Sequence, residues 1–170
     1  MQESPVTAAE PTEPKGLSWG LESRLQFIDF RLRWERRINR MDLTEHFGIS
    51  VPQASLDIAK YTELAPGNLV YDRSSRTYTA APGFQPLYQR SSAQRYLAEL
   101  LATKMGVVEP AASFIGSAPE TDWAPSPWRT INEQTVEAVV RAIRQQESIL
   151  VSYQSMTSLN ESIRLLSPHA

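Results

Sequence analysis

The stretch Arg40 to Tyr61, RMDLTEHFGISVPQASLDIAKY, constrains the fold more than any other part of the chain. Leu43 and Phe47 are four residues apart and so share one face of a short helix, and Gly48 supplies the backbone freedom for a tight exit. Ser50 is a good N-cap, Pro52 is tolerated in a first turn, and Gln53 stands three residues after Ser50 as the reciprocal half of a capping box. A second helix therefore starts at once. At about 100° per residue, Val51, Ala54, Ile58 and Tyr61 fall on its inner side, leaving Pro52, Gln53, Leu56, Asp57 and Lys60 outside. Two short helices joined this way make a helix-turn-helix. The outer face is polar and nearly uncharged, which suits reading base edges better than gripping phosphates. Two amphipathic helices around a glycine also occur in ordinary helical cores, so the flanking elements must decide.

The next element favours DNA. Leu69–Tyr71 and Arg76–Thr79 are β-prone and are separated by Asp72, Arg73, Ser74 and Ser75, so they form a hairpin directly after the second helix. The arrangement is a winged helix-turn-helix. Arg73 and Arg76 place positive charge at the wing tip, where backbone phosphates would lie; the plainer alternative is a solvated turn. Gln53, whose amide suits a two-pronged pair with adenine, is the leading base-reading candidate, flanked by Ser50, Pro52, Ser55 and Leu56.

Upstream, Leu21, Leu25, Ile28 and Leu32 form one helical stripe, with Phe27, Phe30 and Trp34 as a second beside it. A surface helix needs one stripe, so the second implies another contact, either the rest of the domain or a twofold partner. The helix is expected to run into RLRWERRINR, whose arginines outnumber Glu35. Arg36, Arg37 and Arg40, with Lys60 on the second helix, join the wing arginines as candidate DNA-backbone contacts; a solvated, dipole-favoured helix end is the alternative.

Around this core the chain divides into four expected parts. Residues 1–16 are proline-rich with little to bury and read as a disordered tail, and 17–88 form the winged domain. Residues 89–129 form a helical, proline-rich linker or dimerisation region: a helix carrying Tyr96, Leu97, Leu100 and Leu101, then a segment in which Phe114, Trp123 and Trp128 should dock. From 130 a helix with Val136, Val139, Val140 and Ile143 precedes strands at 149–153 and 163–166. Two strands and a helix do not close a barrel, so this last part reads as truncated. The fold class is mainly α with a small β wing, an α+β chain.

Composition narrows the function. With 170 residues, 41% hydrophobic and 21% charged, the chain holds one sizeable core or two small ones. The absence of a long apolar run or secretory leader points to a cytoplasmic protein without membrane contact. Zero cysteines remove thiolate chemistry and cysteine zinc sites, and the net charge of −2 argues against a nonspecific polyanion binder. Only His46 and His169 exist, and no phosphate loop or metal-ligand spacing appears, so no catalytic residue, metal or cofactor is expected. A winged-helix module for protein contacts is the remaining alternative to DNA binding.

The motifs also carry a resemblance. FGISVPQASLDIAKY is similar to the DeoR-type pattern, with Gln53 and Ala54 in place of its usual Thr-aliphatic pair. The longer run from Arg24 to Tyr78 resembles the winged-helix domain of the WYL-domain repressors of the CapW or BrxR type, and ILVSYQSM followed by SPHA looks like the opening of their WYL domain, an Sm/SH3-like barrel. The resemblance implies a homodimeric repressor on a palindromic double-stranded operator, silencing an anti-phage defence operon until an effector reaches the WYL domain. It also places Tyr153, Ser155 and His169 at positions like the polar pocket residues of that domain, with chemistry suited to a nucleotide or nucleic-acid effector.

Overall fold

The computed structural model describes residues 14, 16–122, 132–154 and 161–168. Residues 1–13 of the expected tail, and Trp123, Trp128, Ser155 and His169, lie outside them. The chain divides into two compact units, one up to Ser91 and one from Ser92.

The first unit contains helix α1 (Trp19–Glu35), strand β1 (Arg37–Ile38), helices α2 (Arg40–Phe47) and α3 (Val51–Leu64), and strands β2 (Leu69–Asp72) and β3 (Thr77–Ala80). Leu25, Phe27, Ile28, Phe30, Leu32, Trp34, Ile38, Leu43, Ala54, Ile58 and Tyr61 are each at most 2% exposed. Burying each large side chain among them contributes about 1.5–3 kcal/mol. Both stripes of α1 are spent inside the chain: Phe27 stacks on His46 at 4.6 Å and meets Phe47 edge-on at 5.3 Å, while the Trp34 indole donates to the Ser91 carbonyl at 2.8 Å. The second stripe thus answers to the chain's own core, not to a twofold partner.

Helix α1 stops earlier than its arginine-rich continuation suggests. Arg36 takes a left-handed conformation, φ 62°, and its guanidinium donates to the carbonyls of Ala80 (3.4 Å) and Ala81 (3.2 Å). Those bonds offset a left-handed non-glycine residue costing about 1–2 kcal/mol. The chain can then enter β1, which pairs antiparallel with β3 through Arg37↔Thr79 and Ile38↔Tyr78. The wing is therefore a three-stranded sheet in the order β1-β3-β2, one strand more than the hairpin expected.

Both helices of the pair are capped. At the start of α2, Asn39 and Asp42 form a reciprocal capping box at 3.0 and 2.7 Å, a spacing legible in the sequence but not assigned there. Gly48 ends α2 at φ 64°, its N–H donating to the Thr44 carbonyl. The Ser50 hydroxyl accepts from the Gln53 N–H at 3.3 Å, but the Gln53 side chain does not complete the box; it turns along α3 to Asp57.

A buried polar centre closes the unit. Asp29, fully buried on α1, accepts from the Tyr61 hydroxyl (2.6 Å), Leu87 N–H (2.9 Å), Tyr88 N–H (3.2 Å) and the Ser91 hydroxyl (2.5 Å). Burial raises its carboxyl above the ordinary 3.8, and the hydrogen bonds oppose that rise. Burial and the Asp29 charge likewise raise the Tyr61 phenol. Asn68 donates to the Tyr61 hydroxyl and to the Gln85 carbonyl and accepts from the Gln85 N–H, so the loop after the wing is tied to the same centre.

The second unit contains helix α4 (Ala93–Lys104), helix α5 (Glu133–Gln145) and an antiparallel hairpin of β4 (Ile149–Gln154) and β5 (Glu161–Leu166), in register from Ile149↔Leu166 to Gln154↔Glu161. Ser92 caps α4, and the Glu133 carboxylate accepts its first N–H from Ala93 at 2.8 Å. Glu99, 7% exposed, accepts from the Ser113 hydroxyl at 2.8 Å and from the Phe114 N–H, tying part of the proline-rich segment to α4. No helix among the described residues is long and apolar enough to cross a membrane.

Candidate nucleic-acid interface

The outer side of α3 differs from a simple helical projection at two positions. Val51, assigned inward, is 52% exposed, whereas Asp57, assigned outward, is 1% exposed. Hydrophobicity alone sends an aspartate outward; here Arg24 on α1 reverses that, its Nε donating to Asp57 Oδ2 at 2.6 Å and its Nη2 to Oδ1 at 3.3 Å. The face left open consists of Ser50, Val51, Pro52, Leu56 and Ala59, with Gln53 and Ser55 half-buried among them. Leu56 is 64% exposed, an apolar residue available to a thymine methyl or to a protein partner.

Gln53 and Ser55 are both held. The Gln53 amide donates to Asp57 Oδ1 at 2.9 Å, which leaves its carbonyl oxygen and its second N–H unused by that bond. Ser55 donates to the Val51 carbonyl and accepts from Arg40 Nε at 2.8 Å. Arg40 also donates to the Tyr78 hydroxyl at 2.9 Å and lies 5.5 Å from that ring's centroid, so one side chain joins the start of α2, the outer edge of α3 and the wing.

The cationic candidates fall into two groups. Arg37, Arg73 and Arg76 are exposed, and among the described residues their side chains make no hydrogen bond or ion pair. Arg36 and Arg40 are committed to the carbonyl and hydroxyl contacts above. Lys60 pairs with Glu63 at 2.9 Å, an exposed contact worth about 0–1 kcal/mol that a phosphate can displace. At the wing tip Asp72 accepts from the Ser74 hydroxyl (2.6 Å), the Ser75 hydroxyl (2.6 Å) and the Ser74 N–H (2.9 Å), which hold its carboxyl down to about 2. The turn is thereby shaped by a fixed carboxylate, and Arg76 occupies a left-handed position at φ 54°.

Of the three effector candidates only Tyr153 is among the described residues. It is 42% exposed on β4, with the Arg164 guanidinium 4.1 Å from its ring centroid. No cluster of three or more metal-ligating groups occurs among the described residues.

Helices α1 to α3, with a three-stranded sheet made of β1 and the hairpin after α3, define a winged helix-turn-helix protein. Residues 20–102 match the family described as the BrxR transcriptional regulator winged helix-turn-helix domain. Over these residues the chain carries a winged helix-turn-helix domain of the BrxR kind. It is 47% identical over 156 residues to the DNA-binding transcriptional repressor CapW of Escherichia coli (strain KTE188), covering 92% of this chain and 52% of that protein. The CapW of Pseudomonas aeruginosa is 45% identical over 170 residues (99% of this chain, 57% of that protein), and that of Stenotrophomonas maltophilia 48% over 152 (89% and 51%). The chain thus spans a little over half the length of these relatives.

Proposed function

We propose that this chain is the operator-binding part of a sequence-specific transcriptional repressor. The observation that carries the reading is the open face of α3, with Gln53 half-buried at its centre, in the same unit as a wing whose Arg73 and Arg76 are exposed. Similarity to proteins named as DNA-binding repressors supports it. Ser50, Pro52, Gln53, Ser55 and Leu56 face the bases. Arg37, Arg73, Arg76 and Lys60 meet phosphates, while Arg36 and Arg40 serve first as braces and reach the backbone only by exchanging their present partners. A single recognition helix reads few base pairs, so a homodimer on a palindromic operator is the natural assembly.

The finer reading has the protein control an anti-phage defence operon, with residues 89–129 as linker and those from 130 onward opening a WYL domain. There Tyr153, Ser155 and His169 contribute to a site for a nucleotide or nucleic-acid effector. Footprinting on the DNA upstream of the protein's own gene tests the central claim: a protected, symmetric site is expected. A mobility shift that depends on a partner protein and not on duplex DNA would instead favour an interaction module, the reading to which exposed Val51 and Leu56 lend themselves.

A further inference from the structure

Asp57 is an anomaly on a helix meant for DNA. A buried carboxylate is costly unless charged and polar donors satisfy it, and alanine would pack the same position without that demand. Here three donors converge on it: Arg24 Nε at 2.6 Å, Arg24 Nη2 at 3.3 Å and the Gln53 amide at 2.9 Å. The carboxylate can only accept, so the atom that Gln53 turns toward it must be nitrogen. One N–H is used, and what remains is one N–H and one carbonyl oxygen. That pair is complementary to the N7 acceptor and N6 donor of adenine.

We infer that Arg24 and Asp57 are positioning residues that fix the amide orientation of Gln53 and so set the base preference of α3. Neither residue touches DNA; α1 supplies the charge that α3 uses to aim its reader. The inference rests on Gln53 being a base-reading residue, and the experiment separates failure of that reading from failure of this one. The 170-residue chain is used to select duplexes from a randomised pool, and the preference at each position is then measured by competition.

Gln53→Ala locates the position it reads, where a preference of about 5- to 150-fold should flatten. If no position changes, Gln53 does not read a base and the underlying reading falls. Once the position is located, Asp57→Asn keeps size and hydrogen bonding but lets the Gln53 amide flip. The preference there should fall by about threefold or more, with other positions and the salt slope unchanged, and with no added effect in the Gln53→Ala background. Full retention of the preference, or equal weakening on every sequence, overturns the positioning role, because a merely structural pair would alter only the folded fraction. Arg24→Lys, which keeps the charge but loses the two-pronged fork, serves if Asp57→Asn does not fold: a smaller but equally selective loss is expected, and an unchanged profile defeats the inference.

Discussion

The two units treat their apolar side chains in opposite ways. In the first, every large side chain on both stripes of α1 from Leu25 to Trp34 is at most 2% exposed, and the buried carboxylates Asp29 and Asp57 are surrounded by donors. In the second, one face of the β4–β5 hairpin lies open, with Leu150 74%, Ile163 78% and Leu165 67% exposed. The difference shows what each can tolerate. A closed core with satisfied carboxylates penalises any vacancy, whereas an open strand face has little to lose.

That contrast can be broken at its strongest point. Asp29→Ala should destabilise the first unit by about 3–5 kcal/mol, because it strips the acceptor from the Tyr61 and Ser91 hydroxyls and from two backbone N–H groups. Urea unfolding followed by circular dichroism measures it, and a change under 1 kcal/mol would mean that the network adds little. Ser50→Ala, which removes the α3 cap, should cost about 1 kcal/mol in the same assay. Ile163→Ala on the open hairpin should change stability by no more than about 0.5 kcal/mol, and a larger loss would mean that this face is covered in solution.

The smallest effect concerns pH. The Asp72 carboxyl is held near 2 against an ordinary 3.8, so the folded turn favours the charged form. Its contribution is complete above about 4 and disappears as pH falls through about 2. The Ser74 amide resonance, followed by NMR, should shift across that interval and should stay flat in Asp72→Asn.

Much of the architecture was legible because it rests on periodicity and local chemistry. The stripes of α1, the Gly48 exit, the Ser50 cap and the wing strands all follow from residues within a few positions of one another. The C-terminal strands were legible as well, at 149–153 and 163–166 against 149–154 and 161–166. Strand β1 was not, because two residues carry no period and the left-handed turn at Arg36 depends on carbonyls at Ala80 and Ala81. Nor was the inward turn of Asp57, whose partner Arg24 stands 33 residues earlier. At the interface, residue types nominated Gln53 and the arginines, but only tertiary contacts separate the exposed Arg73 and Arg76 from Arg36 and Arg40, which act as braces.

The centre at Asp29 also bears on how the molecule breathes. Leu87 and Tyr88 lie in a proline-bounded connection without regular structure, yet both donate their backbone N–H groups to a buried carboxylate on α1. Their amide protons reach solvent only when that connection leaves the Asp29 carboxylate, an acceptor that Tyr61 of α3 shares. They should therefore exchange with deuterium as slowly as the middle of α1, making a loop report on the global opening of the domain rather than on its own local motion.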